Sequence, residues 1–558
     1  MKRGDLRENA LDAAFAALGP NGFLPARLPA HRLPPPFDLL DAAVAELPER
    51  YHGDGDVEPW IWALFDGEAL RGASWDALDT PERDRLMTVL SVLAHCARWR
   101  RAPPRREDYE RARCALPPAL DRLWSALCRD RGHPRVGNLN SMVLCNFQLD
   151  GGRPGGAYEV EELVAARLRP AVGWLRAPDD EALAAFLATG VETEARGTAC
   201  LRTLVELVGA CAGGDRLRVL FLLERLRADL ASLGEPFKRN IQRGHLRPGQ
   251  FLTLIQPTTI WGLDEGEGPL EGASGPQVGC LQALDALLGV SAASPMGRSV
   301  RHSRRYLPKV HQDFLEVVDT RAGRLRGFVA ASGDGRLVGE LNACVLALRN
   351  WRLVHKARGA SYLRGDPGEE PSGYTSTGGV VPLDTDRVAL FEAQMDQRVQ
   401  ESTAACVPAP EAQNSSEAWR RYLGPEDRER IREVGWRRPF QAGELLLSEG
   451  TRGAGLWLVE RGRVRVRAGE LDLGELGAEQ IFGEMSFLES GAASADVVGT
   501  DEGELLHLRP EDVFALTERD NGLGLRFYQF LAALLARRLR QMDTRATHPG
   551  PIQGPIGE

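Results

Sequence analysis

"LNACVLALRNWRLVHKARGASYL", Leu341 to Leu363, decides how most of this chain folds. Leu341, Cys344, Leu348 and Trp351 recur at steps of three and four, so on a helix they share one face. His355 is the next position on that stripe. The plain reading of such a residue is a buried histidine hydrogen-bonded to a neighbour; the other is a ligand held inside a helical bundle. The helical pattern extends from about residue 36 to 400. "DTPERDRLMTVLSVLAHCARW" opens with Asp79 or Thr80 as an N-cap candidate and has Pro81 in its first turn. "DDEALAAFLATGVE", "ACLRTLVELVGACA", "DRLRVLFLLERLRADLASL" and "GCLQALDALLGV" follow the same grammar, and β-branched alternation is nearly absent.

Composition sets the bounds. The 558 residues, 43% hydrophobic and 26% charged, suit a globular chain of two to four domains. A net charge of -9, from 69 basic and 78 acidic residues, gives no electrostatic footprint for nucleic acid. The 9 cysteines are odd in number with no C-x-x-C pair, which predicts reduced thiols and a cytoplasmic location. "MKRGDLRENALDAAFAALGPNG" has no continuous apolar core, so no signal peptide is expected. No apolar run reaches the roughly eighteen residues a membrane span needs, so no membrane partner is expected either. Heavy use of Arg, Ala, Gly and Leu points to a GC-rich bacterial genome.

After "VPAPEAQNSSE", Val407 to Glu417, a linker by composition, the texture changes. "GELLLSEG", "GLWLVERGRVRVRAGELDLGELG" and "ADVVGTDEGELLHLRP" are short alternating runs broken by glycine, the grammar of a small β-barrel or jelly roll. "IFGEMSFLESGAASADVVGT", Ile481 to Thr500, resembles the phosphate-binding cassette of cyclic-nucleotide-binding domains. That resemblance implies cyclic AMP or cyclic GMP as ligand, held around Gly483, Glu484, Met485, Ser486 and Ser494, with Glu484 on the ribose 2′-hydroxyl. The family's phosphate-pairing arginine is replaced by Ala493. Loss of such a charge-assisted contact costs about 1.5–3 kcal/mol. The alternative is a barrel used for docking, or for a homodimer through the final "GLRFYQFLAALLARRLRQM" helix. Only 16 residues follow Met542, which leaves no room for a helix-turn-helix.

The helical half carries an ordered set of motifs. "YLPKVHQDFLEVV" at Tyr306 precedes the His355 stretch, and "YTSTGGVVP" follows at Tyr374. This trio resembles the indoleamine 2,3-dioxygenase family, with its Met-Pro-x-x-His-x-x-Phe-Leu segment, its Arg-x-x-His on a long helix, and its Gly-Thr-Gly-Gly loop. Weaker matches lie upstream at "GASGPQVGCLQALDALLGV", "LRPGQFLTLI", "LVEL" and "NSMVLCNF". The resemblance implies a heme b cofactor with His355 as proximal iron ligand, His311 being the competitor. It also implies O2 and an indole or tryptophan-like molecule as reactants, and Ser376, Thr377, Gly378 and Gly379 over the heme. The sequence departs from the family where a carboxylate-gripping arginine belongs: the aromatic is Phe251, but the arginine position reads Gln256. Distal-helix positions read Thr198, Ala199 and Arg202, with Arg202 a candidate to grip a carboxylate from the other wall, and an upstream Tyr and Cys become Leu139 and Met142. Free L-tryptophan is therefore in doubt as substrate.

The sequence thus predicts an all-α helical heme-dioxygenase-like domain over 36–400, after an N-terminal extension at 1–35. A linker at 401–418 leads to a C-terminal β-barrel (jelly-roll) cyclic-nucleotide-binding-like domain with flanking helices at 419–545, and a disordered tail at 546–558. Rival functions are a heme-based sensor without turnover and a helical scaffold that has lost its cofactor.

Overall fold

The computed structural model describes residues 10–365, 386–407 and 419–547, apart from the single positions 112, 265, 267, 421, 453, 454, 470 and 490. The chain forms two compact units, Met1–Ala409 and Pro410–Glu558.

The first unit is helical, with one two-residue ribbon, Gln148–Leu149 against Leu168–Arg169, as its strand content among the described residues. The Thr80–Trp99 helix starts where its sequence says. Asp79 accepts from the Glu82 N–H at 3.0 Å and Glu82 accepts from the Asp79 N–H at 2.9 Å, a reciprocal cap. This helix is the axis of a first apolar cluster that includes Trp99, Trp124, Trp174 and Trp261. A second cluster lies among the helices Arg216–Ser232, Gly279–Leu288, Lys309–Asp319 and Gly335–Arg364.

Two long helices run through both clusters. Asp180–Ala212 buries Leu183, Leu187 and Val191 in the first and Cys200, Leu204 and Leu207 in the second. Gly335–Arg364 buries Leu341, Cys344, Val345 and Leu348 in the second cluster and Tyr362 in the first. The Asp334 carboxylate caps it by accepting from the Arg336 N–H, and Gly365, at φ +74, ends it. Each buried leucine of the stripe contributes about 1.5–3 kcal/mol, so the stripe fixes the helix's rotation. His355 falls between the stretch buried in one cluster and the stretch buried in the other.

Two boundaries differ from the sequence reading. The helix Ala10–Leu18 and the residues Phe23, Leu24, Leu28 and Leu33 are part of the core, so the helical unit begins well before residue 36. Its last helix, Arg387–Ala405, continues into the stretch read as linker. Leu11, Phe15 and Leu18 recur at helical steps, but the Gly- and Pro-rich stretch that follows breaks the pattern, and the packed neighbours show that the segment is interior.

The second unit folds as two four-stranded antiparallel sheets, an open roll and not a closed barrel. One sheet has the order Trp436–Phe440, Gly503–Leu508, Leu456–Arg461, Ile481–Phe482; the other has Leu445–Leu447, Asp496–Gly499, Val464–Ala468, Leu471–Leu476. Alternation along Leu456–Val459 explains the layering. Leu456 and Leu458 face a core shared with Ile431, Phe527, Phe530 and Leu531 of the flanking helices, while Trp457 and Val459 face the space between the sheets.

Candidate functional site

His355 stands where the two apolar clusters meet. Its half-buried imidazole lies among three rings, with centroids 5.1 Å from Phe237, 5.2 Å from Trp351 and 5.5 Å from Phe391. Phe237 packs on the first cluster and Trp351 on the second. Burial, and then the neighbouring Arg352 charge, pull the imidazole down to about 4, so it is neutral near pH 7. No hydrogen bond engages either ring nitrogen among the described residues. His95 is the contrast. Its Nδ1 meets the Thr258 carbonyl at 2.8 Å and its Nε2 accepts from the Gly137 N–H at 3.0 Å, so His95 is a structural core histidine. A neutral, unengaged imidazole on a rigid helix is what an axial iron ligand requires. Among the described residues no group of three or more His, Cys, Asp or Glu is placed to chelate a bare ion.

The wall beyond His355 is aromatic. Tyr362, two helical turns along the same face, packs on Phe251 at 6.2 Å, and Phe251 packs on Phe186 of the Asp180–Ala212 helix at 5.9 Å. The Tyr362 hydroxyl donates to the Leu246 carbonyl at 2.6 Å, which pins the segment carrying Phe251 to the His355 helix.

The helix Gly279–Leu288 and the loop before it tie the rest together. Gln277 accepts from the Leu139 N–H at 2.8 Å and donates to the Gly272 carbonyl at 2.8 Å. The Ala273 N–H donates to the Thr259 carbonyl at 2.9 Å, and a Cβ on Gly272 would overlap that same carbonyl, so glycine is required there by close approach. Glu194, buried on the Asp180–Ala212 helix, accepts from the Gly279 N–H at 2.6 Å and the Cys280 N–H at 3.2 Å; burial nonetheless raises its carboxyl to about 7. Asp285 pairs with both Arg352 and Arg398, and Arg352 also donates to the Ser402 hydroxyl. Arg352 lies one turn before His355, so this network sets the rotation of the histidine's helix.

In the second unit, Gly483 at φ +84 turns the chain into the short helix Glu484–Glu489. A Cβ there would come within 2.6 Å of the Gly455 carbonyl. Glu484 and Ser486 are buried, and Ser486 donates to the Gly483 carbonyl at 2.9 Å; Met485 and Ser494 are exposed and in contact. Ala493 is buried in the apolar layer with Trp457, Phe482 and Val497.

The ordered segments 138–144, 251–259, 272–288 and 341–363 are thus joined in space. The family profile described as "Indoleamine 2,3-dioxygenase" matches residues 13–364, well over half of the chain. The chain belongs to the indoleamine 2,3-dioxygenase family. Human indoleamine 2,3-dioxygenase 2 is 23% identical over 347 residues, which cover 58% of this chain and 81% of that protein. The mouse protein of the same name is 26% identical over 254 residues, 43% of this chain and 60% of its own length. The profile described as "Cyclic nucleotide-binding domain" matches residues 437–520. The "Cyclic AMP receptor protein" of Thermus thermophilus is 40% identical over 126 residues, 22% of this chain; the chain spans 56% of that protein.

Within this dioxygenase-family unit the residues singled out in the sequence separate into three groups. His355, Phe251 and Gln256 lie on elements that the packing links. Arg202 does not. It donates to the Pro20 carbonyl at 2.9 Å, and Thr198 donates to the Asn21 carbonyl at 3.1 Å, so this turn of the long helix faces the N-terminal segment. Arg202 as a carboxylate grip is therefore withdrawn. The helix offers Phe186, four to five turns earlier, to Phe251. His311 is buried against Phe23, with centroids 5.0 Å apart, on a different helix from His355. Ser376, Thr377, Gly378 and Gly379 lie outside the described residues. Phe186, Phe237 and Phe391 escaped the sequence reading, and Tyr362 entered it as part of the histidine motif but not as a residue of the site. Tyr362 was accessible in principle, since seven residues from His355 is two turns, but the others come from separate elements.

All nine cysteines are free thiols. No described helix is long and apolar enough to cross a membrane.

Proposed function

We propose that the helical unit is a heme-dependent dioxygenase acting on an indole or tryptophan-related substrate, and that the cassette unit responds weakly to cyclic AMP or cyclic GMP. The observation that carries the first reading is the neutral, unengaged imidazole of His355, ringed by Phe237, Trp351 and Phe391. Heme b held by His355 would supply the iron at which O2 reacts with the indole. The chain's own residues supply position and dryness. Burial keeps His355 unprotonated, the three rings fix its plane, and the Arg352–Asp285 pair fixes its helix. Phe186, Phe251 and Tyr362 offer flat apolar surface to an indole. With its nine free thiols the protein is proposed to work in the cytoplasm.

The experiment is a visible spectrum of the purified protein and of His355→Ala, each with matched circular dichroism. The natural protein should show a Soret band. The variant should lose it while its helical signal persists. Full heme with an unchanged ligand field in the variant would refute His355 as ligand. Formation of a kynurenine-type product separates turnover from sensing.

A further inference from the structure

Gln256 is unlike the other buried amides of the helical unit. Gln277, Gln282, Asn138 and Asn146 each use both their oxygen and their nitrogen in hydrogen bonds. Gln256 is 1% exposed, yet neither its Oε1 nor its Nε2 has a partner; among the described residues no other buried side-chain amide is orphaned at both ends. An orphaned buried polar atom costs about 1–3 kcal/mol unless something else completes it. Two on one side chain ask for one partner group that both donates and accepts.

The backbone turns Gln256 toward the side of the chain that carries Phe251. Phe251–Ile255 is a π-helical turn, and the Gln256 N–H donates to the Phe251 carbonyl, five residues back. In an α-helix, residues five apart point about 140° away from each other; the wider turn brings Gln256 round toward the face of Phe251. Phe251 in turn packs on Tyr362 of the His355 helix. The other polar side chains of the turn are occupied. Thr253, Thr258 and Thr259 donate to the carbonyls of Gly249, Leu254 and Gln256. The segment Pro248–Leu263 contains no lysine or arginine, and Arg352 is held by Asp285. A carboxylate bound here would face the Gln256 Oε1 with no cation from the turn.

We infer that Gln256 selects a substrate bearing a neutral carboxamide or lactam, holding it by one donated and one accepted hydrogen bond while the ring system lies against Phe251. This rests on the reading of the helical unit as an indole-handling enzyme. It makes Gln256 a specificity-determining residue, and makes the preferred substrate a carboxamide of the indole series in place of a free acid.

The test uses the full-length protein after its heme content has been measured. Isothermal titration compares two matched pairs: L-tryptophanamide against L-tryptophan, and indole-3-acetamide against indole-3-acetate. Each amide should bind at least about tenfold more tightly than its acid. Gln256→Leu should abolish that advantage to within about twofold, and Gln256→Arg should reverse it in favour of the acids. Because Gln256→Leu removes two orphaned atoms, its Tm should equal or exceed that of the natural protein. Equal or tighter binding of the acids, no binding of either amide by heme-loaded protein, or an undiminished amide preference in Gln256→Leu would overturn the inference. A lowered Tm in Gln256→Leu would assign the amide a structural role, through fixed water, and overturn it as well. A protein found to hold no heme defeats the dioxygenase reading, while calorimetry, which needs no heme, still decides the amide preference.

Discussion

Replacing Asp285 by alanine should loosen the His355 helix, and the cost can be worked from the contacts. Asp285 pairs with Arg352 and Arg398, whose side chains are 5% and 6% exposed. Arg398 keeps Glu401 and the Ser291 carbonyl after the change. Among the described residues Arg352 keeps the Ser402 hydroxyl, a neutral group. Breaking a buried ion pair by removing one partner costs about 3–5 kcal/mol, and the surviving partners of Arg398 place this case near the lower end, at about 3 kcal/mol. Removing the second charge as well, in Asp285→Ala/Arg352→Met, should recover most of the loss, because a well-packed apolar pair replaces a buried one. Urea titration followed by circular dichroism, with the two units' transitions fitted separately, measures both variants. Heme dissociation should be faster in the single variant than in the natural protein, since Arg352 lies one turn from His355. A loss below about 1 kcal/mol in Asp285→Ala, or a double variant no more stable than the single, would refute the claim that this pair fixes the helix.

Glu194 predicts a pH dependence. Its folded value, about 7, lies above its ordinary 4.5, so the folded state binds the proton more tightly and stability falls as pH rises from 4.5 through 7. The full span is worth about 3 kcal/mol, and Glu194→Gln should flatten the stability profile in that window; an unchanged profile counts against it. Gly272→Ala places a Cβ against the Thr259 carbonyl and 2.7 Å from the Ile260 Cα, both backbone, so a loss of about 2 kcal/mol in thermal or urea unfolding is expected. In the cassette unit, cyclic AMP or cyclic GMP should bind at micromolar Kd or weaker by calorimetry on the full chain, and Ala493→Arg should tighten binding about tenfold. Asp496 already accepts from the Glu449 N–H at 2.7 Å, which limits its capture of the new guanidinium. Nanomolar binding by the natural sequence would show that another residue replaces the arginine, whereas no binding even after Ala493→Arg would favour a docking role.

Local periodicity made the architecture legible. The three-and-four stripe from Leu341 to Leu348 is fully buried as its spacing required, Asp79 caps its helix, and Leu456 to Val459 alternate between two apolar layers. Such patterns are properties of a few consecutive residues and survive into any packing. The partners of each turn are not. The Asp180–Ala212 helix is 33 residues long and passes through both clusters; Phe186 and Arg202 lie about 24 Å apart along it. Its apolar face could be read from the sequence, but which turn meets Phe251 could not. The π-turn that swings Gln256 toward Phe251, the seam in which His355 loses its charge, and the burial that raises Glu194 all depend on elements distant in sequence. Spacing sets which side of a helix turns inward; only packing decides what it finds there.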